Sequence, residues 1–184
     1  MFFLVIYLPH LIAYLCSKHK NQINEDCRQT GTDTIKLKGV FALLYLLHTD
    51  RYFRNLFYFR IGPILSLVIG WWRPGDRYFI ISKTTQIAGG AYFAHPYSTI
   101  INAHSIGKNF NCRQLTTIGN KVDGENDKRP IIGNDVTLGA NVTLIGYIRI
   151  GNNVTIGAGS VVVKDIPDNA IAVGNPAKVI KYKN

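Results

Sequence analysis

Two rhythms of apolar and polar residues divide the chain. Up to about residue 75 the apolar positions recur at helical spacing: Val40, Leu43, Leu44 and Leu47 fall at i, i+3, i+4 and i+7, which puts them on one face of a helix. The stretch "DRYFRNLFYFRIGPILSLVIGWW" predicts another helix, broken near Gly62 and Pro63 because proline removes a backbone donor and crowds the preceding turn. Residues 21 to 34 read as a polar connection, and "RPGDRYF" marks a turn and a boundary.

Beyond about residue 80 the period becomes six. Ile132, Leu138, Leu144, Ile150, Ile156 and Val162 are spaced six apart, and four residues after each stand Val136, Val142, Ile148, Val154, Ser160 and Ile166. The residue directly after the first aliphatic is Gly133, Gly139, Ile145, Gly151, Gly157 or Val163. Upstream the phase holds at Ile106, Cys112 and Ile118, and more weakly at Ile81, Ile87 and Phe93. From Ile118 to Ile132 the step is fourteen, two more than two repeats, and "NKVDGENDKRP" fills the gap. It reads as a loop pushed out of a regular coil.

A six-residue unit with one large aliphatic and a small neighbour describes a short strand and a turn, with glycine where a side chain would forbid the dihedrals or the close approach. Three such strands close a triangular coil, and stacked coils bury the aliphatics in ladders. The expected fold is mainly β: a left-handed parallel β-helix of hexapeptide repeats, preceded by a small α-helical N-terminal region, with one protruding loop. Residues 1–76 form the helical region. Residues 77–184 form the β-helix, with loop 120–130, a C-terminal tail, and roughly four to five coils of about 18 residues. So short a prism exposes flat apolar faces, and burying them against other copies predicts a homotrimer.

Composition narrows the function classes. The net charge of +10 is spread along the chain without a Lys/Arg run, which argues against a nucleic-acid partner and suits a polyanionic small molecule or an anionic membrane face. Cys16, Cys27 and Cys112 have neither disulfide nor zinc-ligand spacing, so reduced thiols in a cytoplasmic protein are expected, with Cys112 inside the core. The apolar start "MFFLVIYLPHLIAYLCSKHK" lacks the marks of a signal peptide and is short for a bilayer span. It leaves two readings open, an in-plane anchor on the cytoplasmic membrane face or a helix packed on a partner subunit. "RYFRNLFYFR" likewise mixes arginines and aromatics as an interfacial helix would, although packing against the β-helix explains it too.

"AHPYSTIINAHSIGKNFNCRQLTTIGN", the loop, and "IGAGSVVVKDIPDNAIAVGNPAKVI" resemble the hexapeptide-repeat acyltransferases, and within them the serine O-acetyltransferase branch with its capsule and lipopolysaccharide relatives. The resemblance implies acetyl transfer from acetyl-CoA to a hydroxyl of a small acceptor, without a metal, at sites between neighbouring subunits. It implies that His95 is the catalytic base, a role imidazole suits because a hydroxyl needs its proton removed to attack a thioester. An oxyanion would meet a backbone N–H near Gly139 of the adjoining subunit. The pantetheine arm would lie beside Gly119, Asn120, Gly139, Ala140 and Ala158, with Lys178 and Lys181 reaching the adenosine phosphates.

Three departures bear on the acceptor. Ala94 stands where the serine enzymes place an aspartate before the histidine, Arg129 replaces a loop histidine, and Ile80 stands where a carboxylate would orient the imidazole. Arg129 could instead meet an anionic sugar or a substrate carboxylate. Asp50 is a candidate replacement carboxylate or a helix cap. Serine and a sugar or polysaccharide precursor both remain as acceptors. Two other classes stand beside this one. A non-catalytic trimeric scaffold would keep the repeat without the chemistry. A γ-carbonic-anhydrase-like enzyme would need three converging histidines where the β-helix has only His95 and His104.

Overall fold

A computed structural model describes residues 5–32, 36–122, 124–125 and 127–183. Among these, five α-helices come first: α1 (Leu8–Cys16), α2 (Lys20–Cys27), α3 (Gly39–Thr49), α4 (Arg51–Ile61) and α5 (Pro63–Gly70). The chain then turns strictly to short strands, and three parallel sheets form the faces of a prism. The first face holds β1 (Phe79–Ile81), β4 (Thr99–Ile101), β7 (Thr117–Gly119), β10 (Thr143–Ile145) and β13 (Val161–Val162). The second holds β2 (Gln86–Ile87), β5 (Ser105–Ile106), β8 (Ile131–Ile132) and β11 (Arg149–Ile150). The third holds β3 (Tyr92–Ala94), β6 (Asn111–Arg113), β9 (Thr137–Leu138), β12 (Thr155–Ile156) and β14 (Ala170–Gly174), and is closed by the antiparallel β15 (Ala177–Tyr182). This is the left-handed β-helix, with about five coils.

The six-residue register accounts for the core. Cys112, Ile118, Leu138, Leu144 and Ile156 are wholly buried, and the position four later is as dry: Val136, Val142, Val154 and Ser160 have no exposure. The Cys112 thiol is pushed up to about 12 by burial, which leaves it a poor nucleophile. Each coil therefore contributes two inward residues per face, and parallel pairing at fixed register stacks them in ladders.

The corner between the second and third faces shows why glycine and asparagine recur. Asn109, Asp135, Asn153 and Asn169 sit there with φ between 54° and 59°, a left-handed conformation that asparagine and aspartate tolerate. Their side chains bond from coil to coil, Asn109 Nδ2 to Asp135 Oδ1 at 2.8 Å and Asn153 Nδ2 to Asn169 Oδ1 at 2.9 Å. Beside them, a Cβ on Gly133 would lie 2.8 Å from the carbonyl carbon of Gly151, so at that position the coils stack closely only because no side chain is present.

The helices behave as their patterns require, with one correction. The chain does break at Gly62 (φ 89°), which ends α4 one residue before Pro63 begins α5. Residues 21 to 34, expected to be a polar connection, instead supply α2 from Lys20 to Cys27 and a π-turn from Arg28 to Thr32, while residues 33–35 lie outside the described residues. The reason is tertiary. Asp26, 1% exposed, accepts hydrogen bonds from Arg60 Nε at 3.0 Å and Nη2 at 3.2 Å of α4, and from the Ala91 N–H at 2.9 Å. Arg60 also donates to the carbonyls of Ile87 and Ala88. A polar segment is thus pinned between the helices and the first coil by a buried charge pair, with only Ile23 and Cys27 contributing apolar contacts to the helical core. "RYFRNLFYFR" packs inward, with Phe53, Leu56, Phe57 and Arg60 buried.

Candidate functional site

His95 follows β3 at the edge where the third face turns back to the first. The phase slips there: Phe93 to Ile106 is thirteen residues, one more than two repeats. The turn absorbs the surplus with His95 and Ser98 both at φ 50° and the Tyr97 N–H bonded to the His95 carbonyl at 2.6 Å. His95 is exposed, and among the described residues its ring has no hydrogen-bond partner. A left-handed backbone at a non-glycine residue on a sharp corner presents the imidazole to the outside.

The ring borders a cleft of about 500 Å³ formed by α3, α4 and the third face, lined by Tyr45, Thr49, Asp50, Arg54 and Tyr92 among others. Asp50 caps α4, its Oδ1 accepting from the N–H of Tyr52 at 2.8 Å and Phe53 at 3.0 Å. That is the cap role weighed in the sequence, and it also fixes the carboxylate at the cleft that His95 borders. Tyr45, Thr49 and Tyr92 were invisible to sequence reasoning. Tyr45 and Thr49 come from α3, more than forty residues before the histidine, and although Tyr92 precedes it by three on β3, no spacing along the chain brings the three together.

The remaining site candidates fall on two edges of the prism. Gly139, Ala140 and Ala158 share the His95 edge, two and three coils further on, which at the strand spacing of about 4.8 Å places them roughly 10 and 14 Å along it. There the coils meet closely: a Cβ on Gly139 would lie 2.6 Å from the Ala158 nitrogen. Lys178 and Lys181 project exposed from β15 at the end of the third face. Gly119 and Asn120 instead lie on the edge between the first and second faces, where nothing comes within 4 Å of a Cβ built on Gly119.

Arg129 sits on that second edge at the base of the loop, only 6% exposed, donating to Thr84 Oγ1 at 2.7 Å and Asn102 Oδ1 at 3.1 Å, and Asn102 in turn donates to Asn120 Oδ1 at 3.2 Å. It does not line the His95 cleft of its own chain. Ile80, at the position of the absent carboxylate, is half exposed on the first face beside Ile100. Among the described residues no group of three or more His, Cys, Asp or Glu is arranged to hold a metal ion. No helix there is long and apolar enough to cross a membrane.

The prism of hexapeptide coils has counterparts among known proteins. The family pattern for the bacterial transferase hexapeptide (six repeats) matches residues 129–164. Over 86 residues the chain is 50% identical to WcaB of Escherichia coli (strain K12), which is named for an acetyltransferase role in colanic acid biosynthesis. That match covers 46% of this chain and 52% of WcaB. It is 34% identical over 103 residues to serine acetyltransferase 4 of Arabidopsis thaliana, covering 55% of this chain and 29% of the plant protein. The chain thus spans about half the length of WcaB, and less of the plant enzyme.

Among solved structures, the serine acetyltransferase of Neisseria gonorrhoeae superimposes with a TM-score of 0.73 at 25% identity, covering 97% of this chain and 71% of that one. That of Brucella abortus strain S19, in complex with coenzyme A, gives 0.72 at 19% identity over 90% of this chain and 68% of that one, a likeness of fold. The resemblance to the hexapeptide-repeat acyltransferases, and to the serine acetyltransferase branch with its polysaccharide relatives, is borne out.

Proposed function

We propose that the protein is an acetyl-CoA-dependent O-acetyltransferase in which His95 is the general base. The observation that carries this reading is an exposed imidazole without an internal partner, held at a strained corner on the same edge as the small residues Gly139, Ala140 and Ala158. An imidazole nitrogen takes the proton of the acceptor hydroxyl as its oxygen attacks the thioester carbonyl carbon. The tetrahedral oxyanion accepts a hydrogen bond from a backbone N–H of the turn near Gly139 on the adjoining subunit, the Gly139 N–H itself being held by the Ile156 carbonyl at 2.9 Å. Collapse breaks the carbon–sulfur bond, and the imidazolium returns the proton to the leaving thiolate. Serine acetyltransferase solved with coenzyme A shares the fold, which supports the thioester as donor; its groove would run between neighbouring subunits, Gly139, Ala140 and Ala158 of one edge facing Gly119 and Asn120 of the next copy, with Lys178 and Lys181 at the phosphates.

The functional unit is a homotrimer on this reading. His95 and Arg129 occupy different edges of one prism, and three copies about a threefold axis would set the His95 edge of one against the Arg129 and Gly119 edge of the next. For the acceptor we favour a sugar hydroxyl of a polysaccharide precursor over serine. An amino-acid ammonium wants carboxylates, and Ala94 and Ile80 supply none, which leaves Asp50 alone in the cleft. The 50% identity to WcaB points the same way.

The test is release of the coenzyme A thiol from acetyl-CoA across a panel of serine, sugars and sugar nucleotides. Replacing His95 with alanine should lower turnover about 10²- to 10⁴-fold with a sugar acceptor. A variant as active as the parent would remove the base role, and an absence of transfer to any acceptor would favour a non-catalytic trimeric scaffold.

A further inference from the structure

We infer that the helical region docks on an anionic membrane surface through the outer faces of α1 and α5. The two helices touch each other, and each turns its back on the core. Along α1 and the turn before it, Val5, Leu8, Ile12 and Leu15 recur at helical spacing and are all more than half exposed, while Tyr7, His10, Ala13 and Tyr14 on the other side are buried. In α5 only Ile69 is buried, and Ile64 and Leu67 are 79% exposed, Val68 69%. The helix runs straight into Trp71 and Trp72, 81% and 61% exposed, with ring centroids 6.3 Å apart. A soluble surface rarely carries so continuous an apolar patch.

Charge selects the occupant. Residues 5–20 and 61–75, which carry the patch, contain no Asp or Glu, and their charged residues are Lys18, Lys20 and Arg73. Lys18 and Lys20 are exposed at the end of the α1 stripe, and Arg73 follows the tryptophan pair. Leucine and isoleucine in an acyl layer, indole rings at the headgroup level and lysines against lipid phosphates are the arrangement of an in-plane amphipathic anchor. A second copy of the patch would bring these cations against one another with no carboxylate to offset them. Of the two segments the sequence offered as interfacial, the aromatic, arginine-rich α4 is core, while the N-terminal one carries the outward face together with α5.

Trp71 and Trp72 are the chain's only tryptophans, so intrinsic emission reads this patch alone. The full chain is mixed with vesicles of phosphatidylcholine, with and without phosphatidylglycerol, and followed by co-sedimentation and tryptophan emission. Co-sedimentation with the anionic vesicles and a blue shift of the emission are expected, both weakened by added salt. Leu67→Ser with Trp71→Ser removes two exposed side chains that support nothing in the core, and should cut partitioning at least about tenfold. Lys18→Gln with Lys20→Gln should cut it about fivefold per charge while leaving the fold intact by circular dichroism. Protein that stays in the supernatant at every phosphatidylglycerol content overturns the inference. So does a blue shift that appears without vesicles as protein concentration rises, together with a patch variant of smaller assembly size, since the occupant would then be a second copy. None of these readouts depends on acetyl transfer, so the inference and the proposed activity can fail separately.

Discussion

Replacing Arg60 with methionine tests the link between helices and β-helix. Methionine keeps the apolar stem and deletes a guanidinium that is 4% exposed and makes four hydrogen bonds: two to Asp26, one to the Ala88 carbonyl at 2.7 Å and one to the Ile87 carbonyl. What remains is a carboxylate 1% exposed whose other donors are the backbone N–H groups of Ala91 and Gly90. Breaking a buried pair from one side costs about 3–5 kcal/mol, a third or more of the stability of a marginal domain. Burial pushes the Asp26 carboxyl above the usual carboxylate range, against the pull of Arg60. Without that pull the acid escapes its penalty by taking up a proton. A folded-state pKa above the unfolded one favours the folded state as pH falls, so the deficit of the variant should shrink as the pH is lowered. The assay is urea unfolding followed by far-ultraviolet circular dichroism at fixed protein concentration, since any assembly would make stability concentration-dependent. Adding Asp26→Leu to Arg60→Met should restore at least about 1 kcal/mol, because the lone charge is gone while the orphaned carbonyls are common to both variants. An Arg60→Met variant within about 1 kcal/mol of the parent, or a double variant as weak as the sum of the singles, would refute the reasoning.

Two further outcomes follow from the same geometry. His10, 1% exposed, shares a hydrogen bond of 3.0 Å between its Nε2 and the Tyr58 hydroxyl, which itself donates to the Arg73 carbonyl, so the imidazole is neutral with its proton on Nε2 and a bare Nδ1. Burial, reinforced by Arg54 and Arg73, pushes it down to about 4. The unfolded chain therefore binds the extra proton first, and His10 should cost at most about 3 kcal/mol of stability as pH falls from about 6.5 to about 4, a loss that His10→Gln abolishes in pH-dependent melts. At the stacked corner, Gly133→Ala should lower stability by about 1–3 kcal/mol because its Cβ meets the Gly151 backbone, whereas Gly119→Ala, with open space around it, should melt with the parent. If Gly119 borders the thioester groove, that second variant will raise KM for acetyl-CoA without moving the melt.

How far the sequence reached depends on the range of the forces involved. A period of six with aliphatics at two fixed offsets is a local property. Ile132, Leu138, Leu144 and their partners four residues on could be set into a three-faced prism before any contact was known, because each coil repeats its neighbour's environment. The same regularity marked the loop before Pro130, since an insertion shows as a break in phase. The helix break at Gly62 was legible for the equally local reason that proline cannot continue the preceding turn. Residues 21 to 34 failed on the same principle. Their helix has too few apolar positions to announce itself, and it exists because Asp26 meets Arg60 thirty-four residues later and the Ala91 backbone sixty-five residues later.

The candidate site divides in the same way. His95 could be picked out by motif, and its left-handed turn accounts for the single-residue slip in the repeat. That Asp50, Tyr45 and Tyr92 share its cleft, that Arg129 is clasped by Thr84 and Asn102 on another edge, and that α5 rather than α4 is left facing outward are tertiary facts. The sequence alone determined the coil, because a repeat writes its own neighbours every six residues. Only the tertiary structure decided what stands beside the histidine, because those residues are brought together by packing between helices and prism, which leaves no periodic trace along the chain.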